Sequence, residues 1–180
     1  MRDAALAVHY AHEQGFIHRD IKPSNLMFER VESSADGRPG DARVFVLDFG
    51  LAKESTVESS LSGSGSIVGT PAYMPPEQAE ARAEQVGPSS DVYSLGATLY
   101  ACLTGGAPFA GDDMLAILRR VVEEDARAPR VESDLDAIVL KCLAKEQERR
   151  YPTARDLADD LDRWLEEEPV VAKPPSLGYR

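Results

Sequence analysis

Cysteine is scarce in this chain: Cys102 and Cys142 are the only two among 180 residues. They form no C-x-x-C pair and stand in no His/Cys spacing of the kind that holds zinc, which argues against a disulfide framework or a structural zinc and fits a reducing, cytoplasmic setting. Positive charge is also in deficit. Twenty Lys and Arg stand against 31 Asp and Glu, a net charge of −11, so non-specific binding to nucleic acid or to an anionic membrane surface is not expected. No secretory leader is read at Met1-Arg2-Asp3, which opens a mixed helical pattern and not a long apolar stretch. Val92 to Gly111 carries no charge and is long enough on paper to cross a bilayer. Ser94, Thr98, Thr104, Gly105-Gly106 and Pro108 interrupt it, so a buried core helix ending before Gly105 is expected and no membrane segment. With 43% hydrophobic residues, the chain can bury the core of one domain.

What the chain does have is charge gathered in loops behind apolar runs. Ile17-His18-Arg19-Asp20-Ile21-Lys22-Pro23-Ser24-Asn25 holds an acid, an amide and two cations, and Asp48-Phe49-Gly50 follows a β-rich run, which is how a scaffold presents charge to a phosphorylated ligand. An isolated loop Asp is usually a turn residue. Here Asp20 and Asn25 stand five apart with Lys22 between them, the pattern H-R-D-x-x-x-x-N. The segment resembles the catalytic loop of eukaryotic-type protein kinases, including the bacterial Ser/Thr kinases, and Asp48-Phe49-Gly50 resembles their magnesium-binding loop.

The resemblance implies a reaction in which the γ-phosphate of ATP passes to a Ser or Thr hydroxyl of a protein substrate, with Mg2+ or Mn2+ as cofactor. Such a transfer asks for positioning and charge neutralisation more than covalent chemistry. On that reading Asp20 orients the acceptor hydroxyl, Lys22 places a point charge on the γ-phosphate, and Asn25 and Asp48 supply hard oxygen ligands for the metal. His18, Phe49 and Gly50 are structural support. Arg19 would read a phosphate on the activation segment, at Ser66 or at its competitors Ser62, Ser64 and Thr56. Gly69-Thr70-Pro71-Ala72-Tyr73-Met74-Pro75-Pro76-Glu77 resembles the substrate-docking loop with its A-P-E motif. Thr70 would bridge Asp20 and Lys22, and Glu77 would pair with a buried arginine, Arg150 of the Arg149-Arg150 pair. Asp91 either caps the helix it opens or also holds the catalytic loop from below.

Taken in order, the pattern reads as a mainly α, helical-bundle lobe carrying one short β-hairpin. A helix over 4–14 ends at Gly15, with Asp3 its one possible cap and His9 and His12 ordinary helix residues. Leu26-Met27-Phe28 and Val44-Phe45-Val46-Leu47 read as strands around a polar insert, and 48–77 as an activation segment rich in Ser and Gly. Gly63 to Gly69 faintly resembles a phosphate-cradling glycine loop but stands after Asp48-Phe49-Gly50, in the wrong place for one. Helical patterns follow at Met114 to Glu124, Leu135 to Ala144 and Leu157 to Leu165. Trp164 is read as a core anchor; Asp156, Asp159, Asp160, Asp162 and Glu166 to Glu168 are read as a solvated acidic face. The lobe is placed at 1–168 and a Pro-containing tail or linker at 169–180.

The resemblance covers only the larger lobe of a kinase. The sequence holds no G-x-G-x-x-G hairpin, strand lysine or helix glutamate to hold that lysine ahead of the His18–Asn25 loop, so a missing N-terminal lobe is expected as a partner, and the isolated chain is expected to be inactive. Two alternatives stand beside a kinase fragment: an inactive binding module, and a small-molecule phosphotransferase of kinase-like fold, against which the docking loop argues.

Overall fold

The computed structural model describes residues 1–30, 42–49 and 71–173. Gly50, Ser66 and Thr70 lie outside the described residues, as do the candidates Thr56, Ser62 and Ser64, the glycine-rich stretch, the polar insert and the chain beyond Lys173. Six helices and one hairpin are described: α1 (Arg2–Glu13), β1 (Leu26–Arg30), β2 (Ala42–Val46), α2 (Pro76–Ala79), α3 (Pro88–Thr104), α4 (Met114–Glu123), α5 (Ser133–Cys142) and α6 (Ala154–Leu165). The fold is mainly helical, as the hydrophobic pattern indicates.

Local chemistry sets the helix ends. Gly15 and Gly105 take the left-handed φ of +83° and +78° that closes α1 and α3, a conformation that costs glycine nothing. At the start of α3 the Gly87 N–H donates to Ser90 Oγ at 3.1 Å and Pro88 occupies the first turn, where its missing N–H is not needed. Asp113 Oδ1 accepts from the Ala116 N–H at 2.8 Å, and Thr153 and Asp156 exchange hydrogen bonds of 3.1 and 3.0 Å at the start of α6, so both helices begin on a side-chain cap. Asp3 caps nothing. It stands inside the first turn of α1, where it accepts from Arg2 at 2.8 Å.

α3 is the axis of the core. Ser90 through Leu99 are all buried, and among the described residues no helix is long and apolar enough to cross a membrane. α1 lies along α6 and across α3, while α5 packs on α3 and α6. The apolar stripe of α6, Leu157, Ala158 and Leu161, turns inward, and most of its acids face out. Two side chains depart from the expected pattern there. Trp164 is half-buried at the rim of the core and not inside it, and Asp160, expected on the solvated face, is 1% exposed.

The hairpin pairs antiparallel, with Leu26 opposite Val46, Met27 opposite Phe45 and Phe28 opposite Val44. Leu26 turns into the core, while Met27, Phe28, Phe45 and Leu47 remain exposed together with Tyr10 and Phe16.

α3 and α5 approach closely at Gly96. A Cβ added at Gly96 would stand 2.2 Å from Cys142 Cβ, so the two helices touch backbone to side chain. Gly96→Ala is expected to destabilise the fold by about 1–3 kcal/mol or more through overpacking, read as a lowered urea midpoint. Adding Cys142→Ala, which keeps the offending Cβ, should not rescue it; a Gly96→Ala chain as stable as the parent would mean the helices do not meet there.

Candidate active site

The loop from His18 to Asn25 leaves α1 and enters β1 through a turn of 3-10 helix, Pro23–Asn25. It is held from below by one buried carboxylate. Asp91 Oδ2 accepts from the His18 N–H at 2.8 Å and Oδ1 from the Arg19 N–H at 2.9 Å. His12 Nε2 completes the set, 2.8 Å from Oδ2. Asp91 is fully buried, and a buried carboxylate is tolerated only where donors replace its water. It does not cap α3, which begins three residues earlier. His12 is therefore not an ordinary helix residue. Its position seven after Ala5 and four after Val8, on the inward stripe of α1, was the signal available in the sequence.

The backbone of Arg19 is gripped on both sides. Its N–H goes to Asp91 and its carbonyl accepts from Gln78 Nε2 at 3.3 Å, which holds φ at +65°. Asp48, at the exit of β2, has φ +56°. A left-handed backbone at a residue other than glycine costs about 1–3 kcal/mol and persists where the surroundings impose it.

Above this support the charged side chains converge. Lys22 Nζ lies 3.0 Å from Asp20 Oδ2, and Asn25 Nδ2 donates to the Asp20 carbonyl oxygen at 2.8 Å. The amide nitrogen of Asn25 is thus committed to Asp20, which leaves its side-chain oxygen as the atom that could hold a metal. The base of the hairpin ties in as well. The Leu47 N–H donates to the Asn25 carbonyl at 2.8 Å, His18 Nε2 lies 2.9 Å from the Leu47 carbonyl, and the His18 ring meets Phe49 with centroids 4.6 Å apart. These contacts bring Asp48 to the same end of the molecule as Asn25. Two oxygen donors of this kind suit magnesium, which takes one or two protein ligands and fills the rest of its shell with water and phosphate.

The segment Pro71 to Glu77 is fixed by the same turns of α3. Ser94 Oγ donates to the Tyr73 carbonyl at 2.9 Å, and Ser90 Oγ donates to Glu77 Oε1 at 2.6 Å. Arg150 meets Glu77 through two hydrogen bonds of 2.9 Å, and its other N–H groups reach the carbonyls of Ala144, Lys145 and Ser89 at 2.8–3.0 Å. Every nitrogen of the guanidinium is used. Burial pushes the Glu77 carboxyl up, but the hydrogen bonds and charge of Arg150, with the Ser90 hydroxyl, outweigh it and hold the group below the ordinary value of 4.5.

The protein kinase domain model matches residues 1–161, and the chain belongs to that family. Among its relatives, the serine/threonine-protein kinase PknB of Mycobacterium leprae is 40% identical over 175 residues, covering 94% of this chain and 26% of the relative. The enzyme of the same name from Mycolicibacterium smegmatis is 41% identical over 167 residues, covering 89% and 25%. The chain thus spans about a quarter of the length of the curated relatives it matches. A crystal structure of Rad53 residues 1-466 in complex with AMP-PNP superposes with a TM-score of 0.64 at 24% identity, over 88% of this chain and 37% of that one.

Two outcomes test this geometry. Asp91→Asn should speed amide exchange at His18 and Arg19 about tenfold or more, since charged acceptors strengthen such bonds by roughly 1.5–3 kcal/mol; unchanged protection would remove Asp91 as the loop's anchor. For Glu77, a depressed folded pKa means the pair stabilises fully above pH 4.5 and less as pH falls through the lower folded value. Glu77→Gln should cost about 3–5 kcal/mol at neutral pH, because Arg150 is left buried and unpaired. The acid-limb slope should be correspondingly shallower than the parent's, and equal slopes in urea unfolding across pH 3–7 would contradict the assignment.

Proposed function

We propose that the chain is the catalytic and substrate-docking lobe of a protein serine/threonine kinase, transferring the γ-phosphate of ATP to Ser or Thr hydroxyls. The observation that carries this reading is the convergence of Lys22 and Asn25 on Asp20, on a loop pinned by Asp91. A scaffold with no chemistry has no physical need of that set.

Asp20 is the group that orients the acceptor hydroxyl and receives its proton, and Lys22, 3.0 Å away, sets its direction and adds positive charge where phosphate oxygens gather. Asn25 and Asp48 are the residues that would hold Mg2+ or Mn2+. The metal, when bound, neutralises charge on the transferring group. By the resemblance, Arg19 is the reader of a phosphate on the activation segment, with Ser66 as the residue that would carry it, and Thr70 is the residue that would bridge Asp20 and Lys22. Pro71 to Glu77, fastened by Ser90, Ser94 and Arg150, is the peptide-docking platform, which a small-molecule phosphotransferase would not require.

Tyr10, Phe16, Met27, Phe28, Phe45 and Leu47 are exposed, and we read this apolar area as surface that a nucleotide-binding lobe would cover. We read 1–168 as the lobe and 169–180 as its exit, and the unpaired thiols Cys102 and Cys142 suit a cytoplasmic location.

The test is transfer of labelled phosphate from Mg-ATP to a mixed Ser/Thr peptide pool, by the 180-residue chain alone and by the chain joined to a kinase N-terminal lobe, with folding checked by circular dichroism. The joined protein should transfer phosphate and Asp20→Asn should slow it about 10²–10⁴-fold. Full transfer by the Asp20→Asn protein would overturn the reading, and transfer by the lobe alone would remove the need for a second lobe.

A further inference from the structure

The chain does not leave the lobe freely after α6. Asp160 has its carboxylate buried in the core, and its acceptors are taken by three donors: Tyr151 Oη at 2.5 Å, the Val171 N–H at 2.5 Å and the Ala172 N–H at 2.9 Å. Ala172 is 3% exposed and Val170 packs against the core, although Pro169 separates them from the helix. The start of the expected tail is thus a strap, folded back and fastened to a charged side chain. A buried carboxylate with several donors is costly to form and costly to break.

Tyr151 connects this fastening to the site. It is 1% exposed, with the Lys141 ammonium 4.1 Å from its ring centroid. Burial, above all, pushes its phenol pKa up, so the hydroxyl keeps its proton and donates. The preceding residue is Arg150, whose guanidinium holds Glu77 and the carbonyls of Ala144, Lys145 and Ser89. Consecutive residues of one short segment are therefore pinned in two directions, one into the strap and one beneath the segment that begins α2.

We infer that Val170 to Ala172 act as a strap whose attachment to Asp160 is coupled, through Tyr151 and Arg150, to the order of the Glu77 segment. Whatever moves the chain at its exit is then felt beneath the peptide-docking platform, which is a route for regulation from the C-terminal side.

The measurement is amide hydrogen exchange on the 180-residue chain and three variants. Asp160→Asn keeps the shape but loses one acceptor, and should speed exchange at Val171 and Ala172 at least tenfold. Removal of residues 170–180 should speed exchange across 76–80 and 144–151 at least threefold. Tyr151→Phe, which removes only the hydroxyl, should produce that second effect without chain removal, and serves where the shortened chain fails to fold. Unchanged exchange at Val171 and Ala172 in Asp160→Asn would overturn the strap. Changes confined to α6 and the exit in both other variants would overturn the coupling. These readouts are structural, so their failure is separate from a failure of phosphate transfer.

Discussion

Three donors converge on the carboxylate of Asp91, and the site rests on that convergence. Two are backbone N–H groups of the His18–Asn25 loop and the third is the His12 imidazole. A fully buried charge leaves no slack: without those donors its desolvation would be prohibitive, so the loop, α1 and α3 are fixed relative to one another as one body. The same two turns of α3 supply Ser90 to Glu77 and Ser94 to Tyr73. A single helix thereby sets the separation between the loop that carries Asp20 and the segment that would receive a peptide.

That support also explains how the loop tolerates strain. Arg19 and Asp48 are held in left-handed backbone, and neither is glycine. The cost falls on residues beside the charged cluster, and the rigidity that meets it comes from α3, whose flanks are apolar and whose packing against α5 is too close for any side chain at Gly96. Core and site are not separable here: the apolar packing that makes the lobe stable is what keeps four polar side chains in register.

Much of this was legible before the coordinates. Gly15 and Gly105 mark helix ends because only glycine enters left-handed backbone without cost, and the spacing of Leu157 and Leu161 displays α6 by its period. The pattern from His18 to Asn25 singled out the loop through its resemblance to the protein kinase motif. Long-range partners were legible only through the resemblance, as for Glu77 and Arg150, and not from the residues themselves. His12 and Asp91 stand 79 positions apart, and a histidine on a helix reads the same whether its ring meets water or a carboxylate. Asp160 failed for the opposite reason: it sits among acids that do face water, and only its place three after Leu157 sets it apart. Trp164 was expected inside because of its size, but the helix turns it to the rim.

The exposed apolar side chains Met27, Phe28, Phe45 and Leu47 of the hairpin have a consequence for the chain as a solute. A molecule with net charge −11 repels its copies at low ionic strength, where the screening length is about 30 Å at 0.01 M. Added salt shortens that range to about 8 Å at 0.15 M and leaves the attraction between apolar side chains in place. Its colloidal behaviour is therefore set by repulsion that salt screens and apolar attraction that it does not, so the second virial coefficient should fall as salt is added, with no change in fold.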